Sequence, residues 1–106
     1  MKYNKLVRDK IPAVIVKDGK QCNWHYADKK EFKTRLFEKM CEELVEFSDN
    51  PSIEEAADIY EVFNAMLRAW SIPLKEVVTY AADKRDERGG FTAGIILTEV
   101  SDEKAI

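Results

Sequence analysis

Apolar positions change period several times along the chain, and each change marks a boundary. Ile11, Val14 and Ile15 recur at helical spacing, with Asp9 placed to cap and Gly19 to stop a short helix. Pro12 fits such a helix only in its first turn. From Gln21 to Tyr26 the period drops to two, Cys22, Trp24 and Tyr26 opposing Asn23 and His25, which predicts a short half-buried strand. Asp28-Lys29-Lys30-Glu31 reads as a capping box, opening a helix that runs to about Phe47 or Ser48. Phe37, Met40, Cys41 and Leu44 form its main apolar stripe, and Phe32, Leu36 and Phe47 an adjoining row. Asp49-Asn50-Pro51 is a turn, after which Ser52 caps a second helix reaching about Trp70, with Ile59, Val62, Phe63, Met66 and Trp70 as its apolar face. Pro73 opens a third helix on which Leu74, Val77, Val78 and Ala81 align, and Gly89-Gly90 ends it. Phe91 to Val100, broken at Gly94, predicts a second strand able to pair with the first, and Ser101 to Ile106 a frayed tail. The expected fold is therefore mainly α: an antiparallel helical hairpin plus a third helix, with a small two-stranded β element, in one domain over residues 1–106.

Charge enters this pattern in places where a solvated face does not explain it. Glu43 falls in the apolar row of Leu36 and Phe47, and Glu46 lies at its boundary. Glu55 precedes Ile59 by one turn on the apolar face of the next helix, and Asp58 borders that face. Each half of the hairpin thus carries two carboxylates at i and i+3, one turn apart on one face. Folding at Asp49-Asn50-Pro51 brings Glu43, Glu46, Glu55 and Asp58 together, where like charges repel unless a cation sits between them. A hard divalent ion such as Mg²⁺ takes oxygen ligands and fits that need. The competing reading of Glu55 is a capping box with Ser52, but capping accounts for none of the other three. Glu38, Glu54 and Glu61 point away and read as ordinary surface charges.

Basic residues fall at both ends. Lys5, Arg8 and Lys10 cluster before the first helix, and Arg8 and Lys10 are candidate phosphate contacts because Arg presents a planar fork of donors. Lys84 and Arg88 continue the stripe of the third helix, which makes them candidates for the same role; the alternative is that they only complement the helix dipole. The formal charge of −3 argues against general nucleic-acid binding. No apolar run reaches the ~18 residues of a membrane span, and the opening residues lack the apolar core of a signal peptide. Cys22 and Cys41 have no metal-like spacing and read as reduced thiols of a cytoplasmic protein. His25, with no second ligand in range, reads as an exposed structural residue.

Glu42-Glu43-Leu44-Val45-Glu46 followed by Glu55-Ala56-Ala57-Asp58 resembles the E-E-x-x-E and E-x-x-D motifs of the all-α nucleoside triphosphate pyrophosphatases, the MazG-like and phosphoribosyl-ATP pyrophosphohydrolase-like proteins. The stretches Tyr3 to Pro12 and Asp83 to Phe91 resemble a compact bacterial and phage branch of that superfamily. The resemblance implies Mg²⁺, with Mn²⁺ as the alternative, held by Glu43, Glu46, Glu55 and Asp58. It implies a nucleoside triphosphate substrate cleaved to monophosphate and pyrophosphate, with house-cleaning of non-standard nucleotides as one use, and assembly as a homodimer or homotetramer. Glu42 or Glu46 is the candidate general base, and Trp24, Tyr26, Tyr60, Trp70 and Tyr80 are candidates to stack on the base. Two other readings stand beside this one: a phosphoribosyl-ATP pyrophosphohydrolase, and a non-catalytic helical interaction module whose acidic hairpin serves as a docking or metal-stabilised surface.

Overall fold

The computed structural model describes residues 4–102, so Tyr3 and the last residues of the expected tail lie outside it. Four helices follow in order: α1 Ile11–Lys17, α2 Lys29–Asp49, α3 Ile53–Ala69 and α4 Leu74–Arg88. The chain divides into two compact units, Met1–Leu74 and Lys75–Ile106. No helix among the described residues is long and apolar enough to cross a membrane.

In the first unit the organising element is the pair α2 and α3, which pack against each other. Only Asn50–Ser52 separate them, so they touch along their lengths by running antiparallel. Both starts are capped as the sequence predicts. Asp28 accepts from the Glu31 N–H at 2.8 Å, and Ser52 Oγ accepts from the Glu55 N–H at 3.1 Å. The end of α3 is less ordinary. Ile72 N–H bonds back to the Leu67 carbonyl at 2.8 Å and Ser71 N–H to that of Arg68 at 3.1 Å, which closes the helix only with Ser71 at φ 55°. Glycine takes that left-handed conformation without strain and serine does not.

The buried side of α2 is not the stripe with the most apolar residues. Leu36 is 1 % exposed and Glu43 6 %, whereas Phe37 is 63 % and Leu44 51 % exposed, and Cys41 is exposed as well. The adjoining row therefore faces α3, and the Phe37, Cys41 and Leu44 stripe faces out. On α3 the centre of burial is likewise Leu67, with Ile59, Val62 and Met66 half-buried, while Phe63 and Trp70 remain exposed. Two rows lie side by side on each wheel, and the rotation at which the helices meet decides between them.

Asp9 is not the cap of α1. The N-cap position belongs to Lys10 in helical conformation, with no side-chain bond, because Pro12 already presets the first turn. At the other end Gly19, at φ 81°, stops the helix as expected.

The two-stranded β element is absent among the described residues. Trp24 and Tyr26 are 56 % and 87 % exposed, and their rings meet each other edge-on at 4.9 Å. Ile95, Ile96 and Leu97 are each more than three-quarters exposed, after a turn that leaves Gly94 at φ 66°. Alternation describes side-chain spacing alone; a strand also needs a ladder, and an isolated pair of strands is marginal in water. In the second unit, α4 has no buried residue, so Lys84 and Arg88 stand on an exposed helix.

Replacing Ser71 with Gly is expected to raise stability by about 0.5–1 kcal/mol, a gain of a few degrees in melting temperature, because it relieves the left-handed strain. A lower melting temperature in Ser71→Gly would contradict this account of the α3 terminus.

Candidate metal centre

The site lies where the end of α2 meets the start of α3. Position 43 stands two turns after Leu36 on the buried row, so the packing that hides Leu36 also draws Glu43 inward. Position 55 lies in the first turn of α3 because Ser52 fixes where that helix begins, and Asp58 follows one turn later. Carboxylate oxygens of Glu43, Glu55 and Asp58 fall within 4.8 Å of one another. Three of the four predicted ligands are thus brought together.

Glu46, the fourth, is exposed and is not one of the three within 4.8 Å, but it borders them: its charge and a side-chain hydrogen-bond interaction raise both Glu43 and Glu55. Glu42 turns elsewhere. It accepts from Lys5 Nζ at 3.2 Å and from Lys39 Nζ at 3.4 Å. Burial pushes its carboxyl up, but the hydrogen bonds and charges of the two lysines outweigh that, so its pKa lies below the ordinary value. Arg8 donates to Asp58 Oδ1 at 2.6 Å, while Lys10 sits at the start of α1. Lys84 and Arg88 belong to the second unit.

Two members of the triad, Glu43 and Glu55, are short of positive charge. Burial pushes the Glu43 carboxyl above the ordinary glutamate value, and Glu46 and Asp58 push it further against the pull of Lys39. Glu55 is raised by burial first, then by the negative charges of Glu46, Asp58 and Glu54. Lys39 Nζ is 3.5 Å from Glu43 Oε1, yet Glu43 Oε2 and Glu55 Oε2 are both sealed from solvent without a hydrogen-bond partner. The capping reading of Glu55 accounts for its main-chain N–H but leaves that side-chain oxygen unused. A buried, unpaired carboxylate oxygen is costly. An all-oxygen donor set of this kind fits a hard cation, which would satisfy both orphaned atoms at once.

Two further cations border the site: Lys39, absent from the sequence reading, and Lys5 of the basic cluster before α1. Lys39 precedes Glu42 and Glu43 at i+3 and i+4, a spacing that marks it as their local partner. Lys5 has no such signal, since it reaches Glu42 across the fold. Elsewhere Glu38, Glu54 and Glu61 are exposed, as expected, and His25 is exposed and paired with Glu31 at 2.8 Å.

No family model, curated protein or solved structure matches the chain.

The raised carboxyls carry a pH signature. Above pH 4.5, the ordinary glutamate value, the unfolded chain releases protons that folded Glu43 and Glu55 still hold. The folded state then binds more protons, so stability falls as pH rises through this window. Glu42 acts in the opposite sense, its contribution being lost only as pH falls below 4.5 and through its lowered value. Without divalent ions, the melting temperature should accordingly be higher near about pH 5 than near about pH 8. Glu43→Gln should flatten that slope. A parent protein that gains stability across the same rise in pH would contradict the crowded-carboxylate picture.

Proposed function

We propose that the chain is a Mg²⁺-dependent nucleoside triphosphate pyrophosphohydrolase, with Mn²⁺ able to substitute. The observation that carries the reading is the meeting of Glu43, Glu55 and Asp58 with two sealed, unpartnered oxygens among them. The resemblance of Glu42–Glu46 and Glu55–Asp58 to the pyrophosphatase motifs supports it from the sequence.

Under this proposal Glu43, Glu55 and Asp58 hold the cation, and Glu46 completes the set from the exposed side. Bound there, a divalent ion supplies positive charge for phosphate oxygens and lowers the pKa of a water. Glu46 is the better placed of the two candidate bases, since Glu42 is already engaged by Lys5 and Lys39 and its lowered pKa makes it a weaker proton acceptor. Arg8 and Lys10, which lie in the same unit as the carboxylates, are assigned to the phosphates on their charge.

A second reading rests on a different observation. Phe37, Leu44 and Val45 leave 51–63 % of their surface exposed on α2. A helical interaction module would cover such a row with a partner, and so would the proposed homodimer or homotetramer of the enzyme.

Pyrophosphate release from a panel of canonical and modified nucleotides, with and without Mg²⁺, separates these readings. Glu43→Gln and Asp58→Asn should each lower kcat on the order of 100-fold, whereas the exposed Glu54→Gln should change it less than about twofold. The metal-free Glu43→Gln protein should melt no lower than the parent at neutral pH, because a buried like charge has been removed. Full turnover in either site variant rules out the assignment. No Mg²⁺-dependent release from any nucleotide, including phosphoribosyl-ATP, leaves the module.

A further inference from the structure

Arg8 approaches the acidic triad from outside the hairpin. It precedes α1 in sequence and donates from Nη2 to Oδ1 of Asp58 at 2.6 Å. The other two members of the triad each keep a sealed oxygen without a partner, and Glu43 is only 6 % exposed. The segment carrying Arg8 meets the hairpin through surface contacts: Arg35 donates to Asn4 Oδ1 at 3.3 Å, and Lys5 donates to Glu42 Oε1 at 3.2 Å.

We propose that Arg8 is a built-in counter-ion of the triad, holding Asp58 while no divalent cation is bound and giving it up when one binds. The inference rests on the metal-binding reading above and adds a regulatory element to the same site.

Charge and distance make the two occupancies compete. Mg²⁺ or Mn²⁺ sits about 2.0–2.2 Å from a carboxylate oxygen. A guanidinium nitrogen 2.6 Å from the same carboxylate would lie within roughly 5–7 Å of that ion, both drawing on one negative charge. The contest is unequal. The Arg8 side chain is 59 % exposed, and exposed pairs hold weakly. A divalent ion would instead engage several carboxylates at once. Lys39 plays the opposite part: it is only 20 % exposed and is held on α2 itself beside Glu42 and Glu43. Release of Arg8 would leave its guanidinium beside a metal-bound anion, so loading the site with metal would also prepare it for phosphate.

Competition has a consequence that a merely supporting role does not. Removing the Arg8 charge strengthens metal binding, although a contact to a ligand has been lost. Mn²⁺ titrations of the full chain, followed by electron paramagnetic resonance, would compare the parent with Arg8→Gln, Arg8→Lys and Asp58→Asn. Thermal melts without metal would confirm that each variant is folded. Arg8→Gln should bind Mn²⁺ about two- to fivefold more tightly than the parent. That advantage should shrink at high salt, where exposed pairs are screened, and Arg8→Lys should stay near the parent. Unchanged or weaker binding in Arg8→Gln overturns the counter-ion role, as does equal tightening in Arg8→Lys. The metal site itself survives those outcomes provided Asp58→Asn loses affinity. A parent protein that binds no Mn²⁺ defeats the metal reading, and the counter-ion role with it.

Discussion

Three carboxylates crowded into the neck of a helical hairpin are the constraint on which the rest of this structure depends. Glu43 is drawn in by the same row that buries Leu36, and Glu55 is placed by the cap at Ser52. Neither helix can be rotated to free its acid without exposing its share of the small core. Repulsion among the acids is thus built into the packing. Lys39 and Arg8 offset part of it, but two oxygens stay sealed and unpartnered. Native proteins rarely leave such atoms without a reason, and a cation-binding role supplies one.

The core that bears this strain is slight. Leu36 and Leu67 are the deeply buried apolar side chains among the described residues, and they lie on facing helices. Much of the apolar surface is elsewhere, on the outward row of α2 and on residues 95–100. A hairpin with so small an interior depends heavily on its caps and turn, since each fixes the register at which the helices meet. The position of the acids relative to one another depends on that register too. Caps at Asp28 and Ser52 consequently serve the site as well as the fold.

Around the triad the cations differ in how firmly they are held. Lys39 is half-buried on α2 and shares its helix with the acids it neutralises. Arg8 and Lys5 come from the segment before α1 and rest on the surface. The more buried and the more exposed countercharges therefore come from different parts of the chain.

Much of this was legible in the amino-acid order alone. Caps at Asp28 and Ser52, the turn after Asp49 and the stop at Gly89 follow from local chemistry, and the helix bounds agree to within a residue or two. Spacing at i and i+3 put Glu55 and Asp58 on one face, and the apolar neighbours of Glu43 marked it as the acid turned inward. Other features needed the tertiary structure. Choosing between the Phe37 and Leu36 rows depends on how α2 meets α3, because both rows are acceptable on a single wheel. Glu46, on the boundary of its face, ends exposed while still acting on Glu43 and Glu55. The alternating segments around Trp24 and Ile96 lack the ladder that would make them strands, and periodicity says nothing about a partner. Arg8 on Asp58 spans a separation of 50 residues, so no local rule reaches it. Short-range geometry is written in the order of residues; which faces meet, and which charges find each other, is decided only when the chain has folded.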